Sequence, residues 1–396
     1  MILGADWVVP VAGAPIRDGR VEIADGRIVA LGEGGAADRS FPGCVIMPGL
    51  VDAHTHLEYA GMSGFGDGEP FDRWIADHIR RREGLTRDDY EAQAAQGARS
   101  CVAGGITTIA DCCYAGTVGD AAEEAGLRAI VYVEGFSRHD PFDLPLAERL
   151  AWVTPSELVS RGISPHAPYT VDLADYRAWI GLARDQGLPV ATHLLESHLD
   201  TEPAEYFRDI LGPDTVAIHA VRARADDIAL LAELDVPVVH CPRSNALLGC
   251  GTAPLAEMLE AGLRVGLGTD SPASALDFDM WEEMRAAILL ARARAGRPDA
   301  LSAAAALELA TLGGSRALGL DEVGTLAPGG LADLLVLDLR GTPFLPWDDP
   351  VTAAVYGGSP NRVVMTMVGG QLRYEATGDP ADLPDARSVR ARMIEA

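Results

Sequence analysis

Short apolar runs recur through the middle of the chain: "VIMPGLVDAH", "GITTIADC", "RAIVYVEG", "GISPHAP", "LPVATHL", "TVAIHA", "VPVVHCP" and "RVGLGTD". They are nearly continuous in hydrophobicity, as strands covered on both faces are. Helical stretches lie between most of them, among them "DDYEAQAAQGARSCVAGG", "DLADYRAWIGLARDQG" and "APLAEMLEAG". Eight β units alternating with helices predict an α/β fold of the TIM type, a closed parallel (β/α)8 barrel. An open doubly wound sheet is the rival, but no G-x-G-x-x-G follows a first strand. The two ends of the chain change pattern. "RVEIADGRIVALGE" is strand, Asp25-Gly26 turn, strand, and "GLADLLVLDLR" and "RVVMTMVGGQLRYE" add further strands, the latter turning at Gly369-Gly370. Residues 1–48 and 321–396 could pair into one small β domain beside a barrel of residues 49–320.

A chain of 396 residues with 48% hydrophobic content is long enough for such a barrel and a second unit. No apolar run reaches the length of a membrane span, and the start "MILGADWVVP" lacks a basic, signal-like segment. A net charge of −26 argues against nucleic acid and anionic membranes as partners. The six cysteines show no C-x-x-C pair and read as reduced thiols, so the cytosol is the expected compartment. All 32 basic residues are arginine. The absence of lysine removes Schiff-base chemistry and a P-loop lysine together.

Candidate chemistry sits where the strands stop. Residues i and i+2 of a strand point to one side, so His54 and His56 in "MPGLVDAHTHLEY" can converge. His166 ends the fourth strand, His193 the fifth, His219 the sixth, His240 the seventh and Asp270 the eighth. Only His78, His139 and His198 of the nine histidines fall elsewhere. A lone H-x-H is better explained by a solvated strand end. Six histidines at one rim are not, because a packed histidine needs one satisfied site and no common direction, and this rim is where barrel catalysis sits. Glu196 follows His193 by three residues, at the mouth. Asp270 could serve as a helix cap, but its strand-end placement points to a ligand. His166 and His240 line the pocket or orient a neighbour. Such a set suits one borderline divalent ion, zinc first and iron second.

"PGLVDAHTHLE", "HLLES", "AIHA", "HCPRSN" and "GLGTD", in this order, resemble the amidohydrolase superfamily, and within it the cytosine and adenosylhomocysteine deaminase branch. The resemblance covers nearly the whole chain and implies a composite β-sandwich built from both ends, where "GTLAPGGLADLLVLD" resembles the family's C-terminal signature. It implies His54, His56, His193 and Asp270 as metal ligands, Glu196 as proton shuttle and His219 as the group that polarises water or substrate. Binuclear members bridge two metals with a carboxylated lysine, so a chain without lysine resembles the mononuclear type. The implied reaction is hydrolytic deamination. Asp270 accepts the first proton from water, Glu196 protonates a ring nitrogen and ammonia leaves.

Substrate class rests on finer similarity. "GISPHAPYT" resembles a motif of deaminases acting on adenine nucleosides, with His166 as the contact. Residues 57–85, glycine-rich and then amphipathic in "PFDRWIADHIRRREG", resemble the loop and helix that close over the sugar, which makes Trp74 and Glu83 candidate contacts. A surface glutamate explains Glu83 equally well. "CPRSNALLGCGT" with "GLGTDSPAS" most resembles enzymes deaminating 6-amino-6-deoxyfutalosine in menaquinone synthesis. Arg243 and Ser244 would then meet a substrate carboxylate or ring. Adenosylhomocysteine, methylthioadenosine, adenosine, guanine, pterins, a chloro-triazine and cyclic amides stay open, as does a homo-oligomer. Cytidine-type zinc deaminases are excluded: His56-Leu57-Glu58 meets their H-x-E, but no P-C-x-x-C exists. A metal-free scaffold should show substituted ligands, and none is substituted.

Overall fold

A computed structural model of the chain describes residues 1–137, 142, 144–344 and 348–376; His139 and residues 377–396 lie outside that set. The eight apolar runs are eight strands in one sheet, each pairing in parallel with the next. They are β1 (Leu50–Thr55), β2 (Ile106–Cys113), β3 (Arg128–Gly135), β4 (Val159–Pro165), β5 (Val190–Leu194), β6 (Thr215–His219), β7 (Val238–His240) and β8 (Val265–Leu267). In β3, Ala129, Val131 and Val133 pack outward into the main core while Ile130 and Tyr132 join the cluster inside the barrel, the period-2 pattern of a strand buried on both faces.

The barrel closes at its rim, not along its length. An isolated parallel bridge joins Thr55 to Asp270. The Asp270 amide donates to the His54 carbonyl at 2.9 Å, and the His56 amide donates to the Asp270 carbonyl at 3.2 Å. Beneath this, the Asp52 carboxylate accepts from the Thr269 amide at 2.8 Å and from its hydroxyl at 2.6 Å. A Cβ at Gly268 would sit 2.8 Å from the His54 nitrogen, so glycine is what lets the two edges meet.

The sandwich is built from one continuous mixed sheet that draws on both chain ends, in the order Gln371–Glu375, Val363–Val368, Leu334–Asp338, Arg39–Pro48, Ile2–Val8, Gly19–Ala24, Arg27–Glu33. Strand Leu334–Asp338 pairs antiparallel with Arg39–Pro48, Leu334 against Pro48. Alternation sorts its two faces. Ile46, Leu334, Val336 and Met365 join Leu3, Val21 and Ile28 in a second core, whereas Val45, Met47, Leu335 and Leu337 face the barrel's core. The sheet's two hairpin turns meet, since a Cβ on Gly26 (φ +75°) would lie 2.9 Å from the Gly369 carbonyl oxygen. Between β1 and β2, residues 56–70, with a 3-10 helix at Leu57–Met62, lead into helix α1 (Phe71–Arg82), which lines the pocket at the barrel mouth. Among the described residues no helix is long and apolar enough to cross a membrane, and all six cysteines are buried free thiols.

Candidate active site

The strand ends bring His54, His56 and Asp270 together: both Nε2 atoms lie 3.5 Å from Asp270 Oδ1, and the two rings are 4.8 Å apart. His193 closes the group, its ring 5.0 Å from that of His54. Backbone carbonyls fix two of the tautomers. His56 Nδ1 donates to the Cys112 carbonyl at 2.9 Å and His193 Nδ1 to the His166 carbonyl at 2.8 Å, which leaves each Nε2 as a lone pair aimed at the centre. Burial, reinforced by neighbouring imidazoles, lowers His56 to about 4 and holds His193 well below the usual range. The rings are thus neutral, as metal ligands must be. His54 Nε2 is buried without a hydrogen-bond partner. Imidazole nitrogens and a carboxylate oxygen converging on one point fit one divalent cation.

Asp270 is delivered by backbone geometry that alternation does not foresee. Its φ is +64°, a conformation uncommon for a residue with a side chain, and the rim bridge holds it there. Ser244 and Ser274 donate to its Oδ2 at 2.6 and 2.9 Å, so Oδ1 is the oxygen turned to the imidazoles. Burial works to raise this carboxyl, but the hydrogen bond and charge of His54 outweigh it and hold Asp270 well below the usual carboxylate range.

The second carboxyl is poised the other way. Glu196 follows Leu195, whose φ is +54°. Burial, with the Asp270 charge behind it, pushes Glu196 well above its ordinary value. Its Oε2 accepts from the Tyr169 hydroxyl at 3.0 Å, and its Oε1 lies 3.5 Å from His219 Nε2. His219 also has positive φ (+77°); the Asn245 amide donates to its Nδ1 at 3.0 Å, leaving the ring proton on Nε2, toward Glu196. Burial lowers His219 to about 3. One carboxyl pulled below and one pushed above the ordinary carboxylate range, on either side of the imidazole cluster, suit a base and an acid.

A pocket of about 310 Å³ opens above this group, lined by His56, His166, His193, Glu196, His219 and Asp270 on the strand side and by Phe71, Trp74, His78 and Arg82 of α1 on the other. His166 is anchored through Nδ1 to the Thr170 hydroxyl at 2.7 Å, and Trp74 through its indole N–H to the Ala273 carbonyl at 3.1 Å.

Four of the expected substrate contacts fall elsewhere. His240 is buried and does not line the pocket. Ser244 touches Asp270. Arg243 is held by Asp277 at 2.8 Å and Glu283 at 3.5 Å, so its guanidinium is already neutralised. Glu83 is exposed and lines an adjoining chamber, because the helical turn that carries Arg82 into the pocket rotates its neighbour away.

Two pocket residues with ionisable carboxylate or guanidinium groups escaped the sequence reading. Glu134 is in phase with inward Ile130 and Tyr132 at the end of β3, and its Oε1 lies 4.0 Å from His193 Nδ1. An acid at a strand's C-terminal end was the available signal. Arg82 repeats Trp74 and His78 at helical spacing, a stripe visible in "WIADHIRRR".

Residues 45–373 match the Amidohydrolase family. A 5′-deoxyadenosine deaminase of Methanothermobacter thermautotrophicus is 35% identical over 392 residues, covering 90% of this chain and 89% of that protein. A 5-methylthioadenosine/S-adenosylhomocysteine deaminase of Natronomonas pharaonis is 34% identical, covering 94% and 92%. The crystal structure of an adenosine deaminase from Xanthomonas campestris with bound zinc superposes with a TM-score of 0.90 at 28% identity, covering 100% of this chain and 98% of that one.

Proposed function

The chain belongs to the amidohydrolase family and is a hydrolase acting on non-peptide C–N bonds, and from that premise we propose that it deaminates an adenine nucleoside modified on its 5′ side. 6-Amino-6-deoxyfutalosine is the substrate that the "CPRSNALLGCGT" and "GLGTDSPAS" segments favour. His54, His56, His193 and Asp270 hold one divalent cation, zinc by preference. When bound, that cation supplies the Lewis acidity that lets water act as a nucleophile at neutral pH.

The remaining work belongs to side chains. Asp270, kept ionised, takes a proton from the attacking water. Glu196, kept protonated and oriented by Tyr169, delivers a proton to the ring nitrogen next to the carbon under attack. His219 Nε2–H donates to the oxygen that develops charge there. Asp270 passes its proton to the departing amine, ammonia leaves, and the proton of the new hydroxyl returns to Glu196, which restores both carboxyls to their starting states. Trp74 and Phe71 cover the heterocycle and exclude bulk water, and His166 meets the nucleoside.

The observation that carries this reading is geometric: His54 and His56 each place Nε2 3.5 Å from Asp270 Oδ1, and Glu196 Oε1 lies 3.5 Å from His219 Nε2 beside them. The test is the ultraviolet change from adenine to hypoxanthine with zinc-loaded protein. The panel holds 6-amino-6-deoxyfutalosine, 5′-deoxyadenosine, methylthioadenosine, adenosylhomocysteine and adenosine. A kcat/KM above about 10⁴ M⁻¹s⁻¹ on at least one is expected. Silence across the panel with stoichiometric metal would overturn the reading.

A further inference from the structure

Asp270 and His219 are aimed by side chains that come from outside the barrel wall. Ser244 and Asn245 sit on the short helix Pro242–Leu247, and Ser274 on the short helix Pro272–Ala275. The two serines donate to Asp270 Oδ2 at 2.6 and 2.9 Å, and Asn245 donates to His219 Nδ1 at 3.0 Å. Helices of six and four residues do not hold their own geometry in water. Asp270 and His219, at φ +64° and +77°, are not fixed by their own backbone preference either. Something else must set the spacing between the two short helices.

Arg243 spans that gap. Its backbone N–H donates to Glu283 Oε2 at 3.0 Å, and its Nε lies 3.5 Å from Glu283 Oε1. Nη1 donates to the Asp279 carbonyl at 3.2 Å; Nη2 donates to the Ala275 carbonyl and, at 2.8 Å, to the Asp277 carboxylate. Glu283 is fully buried on the long helix Met280–Ala295, which packs Trp281, Met284 and Ile288 into the main core. One guanidinium therefore fastens both short helices to a rigid element. Ser244 directly follows Arg243, and Ser274 directly precedes Ala275, so each serine on Asp270 neighbours one end of the same side chain. Arg243 does not line the pocket. A buried ion pair adds little net stability over apolar packing of the same volume; what this one supplies is a fixed distance. We infer that Arg243, braced by Glu283, is a positioning residue. It sets the Ser244 and Ser274 hydroxyls on Asp270 and the Asn245 amide on His219, and so the angles from which the acid–base groups work.

The kinetic arm of the test rests on the deaminase reading, and a zinc-affinity arm does not. Wild type, Arg243→Met, Ser244→Ala and the double variant are compared at saturating zinc, well below their melting temperatures, on the adenine nucleoside that the wild type deaminates fastest. Arg243→Met should lower kcat by about 30-fold, as loss of outer support for a metal site does, with KM within about threefold. Arg243→Lys should lose only about fivefold, since a lysine keeps the charge for Glu283 but not the fork that reaches the Ala275 and Asp279 carbonyls. Ser244→Ala should cost about 10-fold in the wild-type background and less than about threefold beside Arg243→Met, as coupled residues do. Zinc affinity by chelator competition should weaken by about 10-fold in Arg243→Met, with the same non-additivity. A folded Arg243→Met with wild-type kcat overturns the inference, and a fall in melting temperature alone does so too. Costs of Arg243→Met and Ser244→Ala that simply add show that Arg243 does not act through the serine, and overturn it equally. Absence of ammonia from every nucleoside with wild type is instead the failure of the deaminase reading, and the zinc-affinity cycle then decides the inference. Should Arg243→Met not fold, Arg243→Lys takes its place in both cycles, and wild-type values there overturn the inference.

Discussion

The pocket has two walls made by different means. On the strand wall, His56, His193, His219 and Asp270 are each held by a second group: the Cys112 and His166 carbonyls, the Asn245 amide, and the Ser244 and Ser274 hydroxyls. The α1 wall is different. Phe71, Trp74, His78 and Arg82 present one helical face and lean on each other, Trp74 stacked on His78 with centroids 5.5 Å apart and Tyr59 edge-on to His78 at 4.5 Å. The strand wall fixes angles and protonation, which the chemistry needs in every substrate. The helix wall supplies shape and one charge, which differ between substrates. Chemistry should therefore fail when the strand wall is touched, and preference should change when the helix wall is.

The largest effect expected is on the strand wall. His193→Ala, or chelation of the wild type, should reduce turnover to background for every substrate, with metal content by elemental analysis falling in step. If His193→Ala kept full metal and activity, the ligand assignment would fail. Glu196→Gln should bind metal as wild type does yet lose about 10²- to 10⁴-fold in kcat; near-normal kcat would remove its role as proton carrier.

The helix wall should respond more gently. Trp74→Ala is expected to raise KM by about 10-fold while kcat stays within about threefold, the signature of lost uniform binding. A kcat collapse at unchanged KM would mean that α1 takes part in the chemistry and would erase the distinction between the walls.

The smallest effect is one of pH. Burial first, then the nearby Arg82 and His56 charges, lower His78 to about 3, below the ordinary 6.5. A histidine with a depressed folded value adds stability above 6.5 and loses it as pH falls toward the folded value, because the unfolded chain binds the proton first. His78→Phe removes that loss. Its unfolding free energy relative to wild type, both metal-free, should therefore rise as pH drops from 7 to 5, by about 1.4 kcal/mol per pH unit below 6.5 at most. A difference that stays flat with pH would show His78 to be solvated.

Much of this was legible without coordinates. The eight apolar runs became the eight barrel strands, and the hairpin signals at Asp25-Gly26 and Gly369-Gly370 marked turns that meet across one sheet. The histidines at the strand ends were found because hydrophobic runs mark where strands stop and a parallel barrel puts those stops on one face. Absence of lysine was likewise a fact of the chain alone.

The tertiary structure decided what depends on contacts remote in sequence. Period-2 alternation cannot aim Leu195, His219 or Asp270, because all three have positive φ, a state imposed by the rim bridge and its neighbours and invisible to local propensity. Which oxygen of Asp270 faces the centre follows from Ser244 and Ser274, which reach it across loops. Arg243 looked available in the sequence and is neutralised by Glu283; Glu83 looked like a sugar contact and is turned out by the helix phase that turns Arg82 in. Residue types and strand ends are written locally. Which charge is already paired is not, since that is settled only when every acid in the folded chain has taken its partner.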